Sequence, residues 1–251
     1  MRTHLKLKGL PQLAAVALCV TAIKSHHSTA SVDDLVWVLA PTTRLVEIVT
    51  GLDFTFESGA GYMSADHSFQ IAASCSGVNF LIAAFLMIAV GWIWKRPFGP
   101  GWTFLPISLI MAYATTIVAN TVRISTALQL RQIDPDLIWL NPDQMHRFEG
   151  IVVYFGFLIL VFVAGERMLR DDEPRKPRSW WRRWLLPLGS YYAATLGIPI
   201  ANGLYAGGLA RPEFVEHAIF VLVIPIVIVG VLAAARSVRG LRPDLHIRHI
   251  N

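Results

Sequence analysis

Charged residues are scarce in this chain. Asp, Glu, Lys and Arg make up 16% of its 251 residues, whereas a soluble globular domain usually has about 25%. Hydrophobic residues make up 54%, and several apolar runs approach or exceed the ~20 residues that a membrane-spanning helix needs. A membrane span must satisfy its own backbone hydrogen bonds, as a helix does. The composition therefore excludes an ordinary soluble domain and predicts an all-α, polytopic membrane helical bundle.

Cysteine is also scarce, with Cys19 and Cys75 as the two examples. Two cysteines cannot form a framework of several disulfides or a cysteine-type zinc site. Cys19 lies deep within the first apolar run, and we interpret it as a packing residue. Cys75 lies instead at the beginning of an apolar run, next to small residues.

Six apolar runs predict about six transmembrane helices, at roughly residues 10–23, 75–94, 102–119, 148–164, 184–201 and 216–235. The third helix is expected to continue toward residue 130. The first run resembles a signal peptide, but we interpret it as a retained span because the charge pattern requires it. Residues 35–39 are too short to cross, and Pro41 is expected to break that segment, which fits an interfacial or re-entrant helix. Residues 54–68 are expected to form a loop.

The basic residues are distributed unevenly between the two sides of the predicted bundle. Of 22 Lys and Arg residues, 16 lie at the N-terminus, after the second span, after the fourth span and in the C-terminal tail, and six lie in the alternate segments. By the positive-inside rule, both termini are cytoplasmic, and Cys75, Arg123 and His146 face the extracytoplasmic side. The net charge of +5 is then a topology signal, and no nucleic-acid partner is needed to explain it.

Cys75 is the first candidate for chemistry. A thiol reacts as its thiolate, which a cation, a histidine base or a helix N-terminus favours, and Cys75 is expected where the second span begins. Ser76 and Gly77 are small enough to allow another backbone to approach. Asn79 is expected one turn further on the same helix face, where it would orient the thiol or bind a substrate carbonyl. The alternative is that Cys75 is a small packing residue.

Arg123 is expected near the outer end of the third span. An arginine there is costly unless it snorkels to the interface or pairs. Its functional role would be a fixed positive charge that stabilises a thiolate or a developing oxyanion, and Asn120, on the same helix face, would help to hold it. The alternative is an interfacial arginine that snorkels.

His146 is expected just before the fourth span. Histidine can exchange a proton near neutral pH, and Glu149, three residues on, would orient the ring as the third member of a triad. The alternative is a solvated interfacial histidine. A metal site is disfavoured, because the chain has no His-Glu-x-x-His motif and no evident third ligand, and no cofactor is predicted.

Three segments together resemble the exosortase/archaeosortase family in order and spacing: Ser74-Cys75-Ser76-Gly77-Val78-Asn79-Phe80, Asn120-Thr121-Val122-Arg123-Ile124, and His146 with Gly150. The resemblance covers roughly residues 30–165. It implies a polytopic membrane cysteine enzyme, thought to be a transpeptidase, with Cys75, Arg123 and His146 as its catalytic residues. The bacterial substrates of that family look like PEP-CTERM proteins, which end in a short motif, one membrane span and a basic tail. The implied partners are therefore the lipid bilayer and a membrane-anchored protein that carries a C-terminal sorting signal.

The resulting hypothesis is a cysteine protease or transpeptidase, a hydrolase by class, in the inner (plasma) membrane with an extracytoplasmic active site. Residues 1–170 would form the exosortase-like core, 171–183 a basic cytoplasmic loop, and 184–251 a two-helix membrane extension with a basic tail. Two other classes remain open. One is a non-enzymatic membrane scaffold, and the other is a small transporter in which Arg123 and Glu149 line a pathway.

Overall fold

Four helices of the computed structural model are long and apolar enough to cross a membrane: Ala73–Lys95, Phe104–Leu130, Gln144–Met168 and Val215–Arg236. The structure describes residues 9–95, 101–131, 142–168, 180–201 and 212–240. The count of four helices able to cross a membrane applies to these residues only. The helices and their apolar composition confirm the prediction of a mainly helical membrane protein. Half of the 22 basic residues that were counted for topology lie outside the described residues.

The helices follow the predicted apolar runs, and most of them are longer than predicted. In chain order they are α1 (Leu10–Thr29), α2 (Val36–Thr50), α3 (Val78–Lys95), α4 (Phe104–Leu130), α5 (Pro142–Met168), α6 (Trp180–Tyr192), α7 (Ile198–Ala201) and α8 (Pro212–Gly240). A π-helical turn joins α6 to α7, and 3₁₀ turns precede α2 and α3. The third predicted span continues to Leu130 as expected.

The N-terminal turn of α6 lies in the segment that was predicted as a basic loop, residues 171–183. That part of the prediction is wrong, because α6 begins at Trp180. Arg183 pairs with Glu166 on α5 at 2.5 Å, and its guanidinium lies over the ring of Phe162. Because this basic residue is held by α5, the helix extends further than hydropathy indicates. Residues 171–179 lie outside the described residues.

Pro41 lies inside α2, and the prediction that it breaks the helix is wrong. A proline cannot donate a hydrogen bond to the carbonyl four residues earlier, which here belongs to Trp37. The hydroxyl of Tyr113 on α4 donates to that carbonyl at 2.7 Å, and the rings of Trp37 and Tyr113 stack with centroids 5.7 Å apart. Because a neighbouring helix satisfies the open carbonyl, α2 continues to Thr50.

A small antiparallel sheet occupies residues 54–71, so the prediction of a loop at 54–68 is wrong. Its strands are β1 (Phe54–Glu57), β2 (Gly61–Ser64) and β3 (Gln70–Ile71), in that spatial order. Gly61 has a φ of 113°, and a Cβ there would lie 2.5 Å from the carbonyl oxygen of Ile71. Glycine is therefore required for β2 to approach β3 so closely. The sheet leads directly into the segment that contains Cys75.

The centre of the bundle is α3, where Ala83, Ala84 and Phe85 are fully buried. It contacts α1, α4, α5 and α6, while α5 also contacts α4, α6 and α8. The helices from residue 184 onward therefore pack directly against the helices that carry the candidate residues. The part predicted as an extension and the part predicted as a core share one hydrophobic core.

Candidate functional site

Cys75 lies in the connection between β3 and α3, in the 3₁₀ turn Ala73–Cys75. Its backbone N–H donates to the carbonyl of Ala72 at 2.9 Å, and α3 begins only at Val78. The expectation that Cys75 itself starts the helix is wrong, because Gly77 takes a φ of 70° and interrupts the helical path. The thiol thus sits on a turn before the membrane helix, half-buried and without a disulfide.

Gly77 allows this turn to pack closely against α4 and α5. A Cβ at Gly77 would lie 3.3 Å from each of Asn120 Cγ, Thr116 Cγ2 and Tyr154 Oη, and its positive φ also disfavours other residues. The preceding Ser76 is buried, with 2% of its surface exposed. Ser76 and Gly77 therefore permit close approach, as predicted. The groups that approach them are polar side chains of α4 and α5.

Asn120 on α4 holds the turn in place. It is fully buried, and its Nδ2 donates to the backbone carbonyl of Cys75. Its Oδ1 accepts a hydrogen bond from the hydroxyl of Tyr154 on α5 at 2.8 Å. A single side chain thus joins three elements, and a buried amide needs such partners because an unpaired one costs stability.

Arg123 lies three residues after Asn120 and reaches α5 with both terminal nitrogens. Nη1 donates to Tyr154 Oη at 3.4 Å, and Nη2 lies 2.6 Å from His146 Nε2. The guanidinium also lies over the Tyr154 ring, 5.5 Å from its centroid. Because a guanidinium only donates hydrogen bonds, Nε2 of His146 must accept, and we assign the ring as neutral with its proton on Nδ1.

Glu149 lies beside the protonated side of that ring. Its Oε2 is 3.9 Å from His146 Nδ1, and its side chain is 4% exposed, against 51% for His146. Neither carboxyl oxygen has a hydrogen-bond partner among the described residues, although the charge of Arg123 acts on the group. Glu149 therefore lies next to Nδ1 of the neutral ring, but the 3.9 Å separation is longer than a hydrogen bond.

Tyr154 belongs to this cluster, and the sequence analysis missed it. His146, Gly150 and Tyr154 follow one another at four-residue steps on α5, so they share one helix face. The Tyr154 ring stacks on Phe80 of α3 with centroids 4.7 Å apart. The four-residue spacing from His146 and Gly150 is the signal that could have identified it.

Asn79 was predicted to share a helix face with Cys75, and this relation is wrong because the helix begins after Gly77. The side chain of Asn79 instead accepts a hydrogen bond from Lys24 Nζ at 3.0 Å. Lys24 is 7% exposed and lies on the buried stripe of α1 with Val16 and Val20. The pair joins α1 to α3 one turn away from the Cys75 segment.

The arrangement brings Cys75, Arg123 and His146 to one end of the bundle. Hydrogen bonds run without a gap from the Cys75 carbonyl through Asn120, Tyr154 and Arg123 to His146. Within the described residues the thiol of Cys75 makes no hydrogen bond to Arg123 or to the His146 ring. Those residues also contain no group of three or more metal-ligand side chains.

Comparisons of the chain with protein-family models, with curated proteins and with solved structures gave no match.

Proposed function

We propose that this protein is an exosortase-like membrane thiol transpeptidase or protease. The observation that carries the proposal is the hydrogen-bond network that joins the Cys75 turn, Arg123 and His146 from three separate segments. A half-buried thiol, a fixed cation and a neutral histidine at one end of a membrane bundle form a set suited to nucleophilic acyl transfer.

In this mechanism, Cys75 sulfur attacks a peptide carbonyl, a C–S bond forms, and the carbonyl electrons move to oxygen. Arg123 donates to that oxyanion. His146 accepts the thiol proton at Nε2 and returns it to the leaving amine as the C–N bond breaks. The resulting thioester then passes to an acceptor amine or to water.

The resting geometry adds a condition to this mechanism. The lone pair of His146 Nε2 is occupied by Arg123, so the ring cannot accept the thiol proton until Arg123 turns away. A substrate carbonyl that develops negative charge is the competing acceptor for Arg123. Substrate binding would therefore free His146 to act as the base at the same time as it draws Arg123 to the carbonyl. Cys75 would then react little in the absence of substrate.

The proposal includes the finer topology that the basic residues predict. It comprises about six transmembrane helices, both termini in the cytoplasm and an active site on the outer face of the inner (plasma) membrane. The substrate would be an exported, membrane-anchored protein whose C-terminal sorting signal places a cleavable peptide at that face. Labelling of Cys75 by a membrane-impermeant maleimide in intact cells tests the orientation, and labelling only after the inner face is opened would contradict it.

A trapped acyl-enzyme tests the chemistry. Purified protein in liposomes would receive a reporter that carries a C-terminal apolar span and a basic tail. We expect a thioester on Cys75 that mass spectrometry detects and hydroxylamine removes, and none in Cys75→Ala. Cys75→Ser should be nearly inactive, because an alkoxide is much harder to generate than a thiolate.

Cys19→Ala is the matched control, since Cys19 on α1 packs against the hydrophobic core, and it should react like wild type. Cleavage of the reporter by Cys75→Ala at the wild-type rate would refute the enzyme proposal and favour a scaffold. Equal damage from Cys19→Ala and Cys75→Ala would indicate that both cysteines only pack. Solute flux without any acyl-enzyme would favour the transporter.

A further inference from the structure

The strand that precedes Cys75 is an edge strand. β3 pairs with β2 on one side, and the strand order places it at the end of the sheet. Three residues separate its last residue, Ile71, from Cys75, and Ala72 continues the extended backbone with a ψ of −179°. An edge of this kind can accept an additional strand through its main-chain groups.

The ladder determines which main-chain groups of β3 face outward. Ser64 N–H donates to the Phe69 carbonyl at 3.0 Å, so Ser64 and Phe69 form a hydrogen-bonded pair, and Tyr62 and Ile71 form the next one. Antiparallel pairs alternate, and the N–H and C=O of Gln70 therefore point away from β2. Among the described residues neither group has a partner.

The open edge faces the end of α4. Ser68, two residues before Gln70, has the same outward direction, and its carbonyl accepts a hydrogen bond from Arg131 Nη1 at 2.7 Å. Arg131 lies at the C-terminal end of α4, and its guanidinium also packs over Phe69. Arg123 lies eight residues earlier on the same helix, roughly 12 Å along its axis.

We propose that the open edge of β3 binds the peptide substrate as a fourth strand of the sheet. This inference rests on the proposed function, because it describes how the same site would bind its substrate. An added strand would pair with the N–H and C=O of Gln70 and run between the Cys75 turn and the helix that carries Arg123. Since a strand advances about 3.3 Å per residue, the paired substrate residues lie within about five positions of the scissile bond. Recognition would then depend on an extended backbone more than on particular side chains at those positions.

Photo-crosslinking tests the docking separately from the chemistry. p-Benzoylphenylalanine would replace Gln70 in a Cys75→Ala background, which cannot turn over the reporter described above. The matched control places the same probe at Phe56, whose main-chain groups face outward on the opposite edge, β1. We expect crosslinking to the reporter peptide from position 70 to exceed that from position 56 by about tenfold. Absence of crosslinking from position 70, or equal crosslinking from both edges, would overturn the proposal.

Proline provides the kinetic test in the active protein. Gln70→Pro removes the outward N–H, and proline is tolerated on an edge strand where that group faces away from the ladder. Loss of one backbone hydrogen bond should raise KM about five- to tenfold. Gln70→Ala keeps the N–H and loses only the side-chain bond to the Ala60 carbonyl, so its KM should stay within twofold of wild type. An equal rise in both variants would contradict strand addition. Failure of wild type to cleave would instead reject the proposed function, and the crosslinking result would still decide the docking.

Discussion

Gly150 allows Arg123 to lie against α5, and a single methyl group there tests the candidate site. A Cβ at Gly150 would lie 3.2 Å from Arg123 Nε and 3.8 Å from its Cδ. That Nε is buried and has no hydrogen-bond partner among the described residues. The position of the guanidinium therefore depends on the two bonds from Nη1 and Nη2 and on the space that Gly150 leaves.

Gly150→Ala should displace the guanidinium by a few tenths of an ångström. The bond from Nη1 to Tyr154 is already 3.4 Å long, so further lengthening breaks it. A misplacement of ~1 Å in an active site can cost about 100-fold in rate, so a shift of about 0.3–0.5 Å should slow reporter cleavage roughly four- to tenfold. Alanine is also preferred over glycine inside a helix by roughly 0.5–1 kcal/mol. Gly150→Ala should therefore lower the rate of cleavage without lowering the free energy of unfolding.

Two other glycines of α5 provide the controls. A Cβ at Gly156 or at Gly165 would meet no atom within 4 Å, so alanine at either position should preserve cleavage and maintain or raise the thermal midpoint in detergent. The assay is the rate of reporter cleavage beside the thermal midpoint for all three variants. Cleavage by Gly150→Ala within twofold of wild type would refute the reasoning, as would a loss of activity that merely follows a lower thermal midpoint.

Three further changes test separate contacts. Tyr154→Phe keeps the ring but removes the hydroxyl between Arg123 and Asn120, so kcat should fall about tenfold with KM unchanged in the cleavage assay. Tyr113→Phe leaves the carbonyl opposite Pro41 without its donor, which should lower the free energy of unfolding by about 1 kcal/mol in a denaturation experiment. Hydrogen bonds from Ser64 and Ser68 hold the pKa of Asp66 at about 2. The carboxylate therefore stabilises its turn above about pH 4 and loses that effect as the pH falls through about 2, and Asp66→Asn should abolish this pH dependence in pepsin digestion of the turn.

Hydropathy and local spacing predict the parts of the fold that depend on local sequence. The apolar runs locate the helices, because a membrane span must be apolar over its whole length. The ends of those runs place Cys75, Arg123 and His146 at the same end of the bundle, and the hydrogen bonds between their segments agree with that placement. The i, i+3 relation of Asn120 to Arg123 also holds, because both lie inside one continuous helix.

The features that were missed depend on partners far away in the chain. Pro41 does not end α2, because Tyr113, 72 residues later, satisfies the open carbonyl. The turn at Cys75 depends on the left-handed backbone of Gly77, and local apolar pattern alone does not distinguish it from a first helical turn. Short strands such as Gln70–Ile71 carry little periodic signal, although alternating aromatic residues near Gly59 and Gly61 indicate a hairpin.

The composition of the network bears on the choice between an enzyme and a scaffold. A helical bundle can be held together by apolar packing, and replacing buried ionic groups with apolar residues is often neutral or stabilising. This chain instead places Arg123, Asn120 and Tyr154 among buried helices and leaves both oxygens of Glu149 without a hydrogen bond among the described residues. Such an arrangement costs stability, and a scaffold would gain nothing from it. An acyl-transfer site does gain, because Arg123, which occupies the lone pair of His146 Nε2 and whose Nε has no hydrogen-bond partner among the described residues, can turn to a peptide carbonyl and so free the histidine to act as a base.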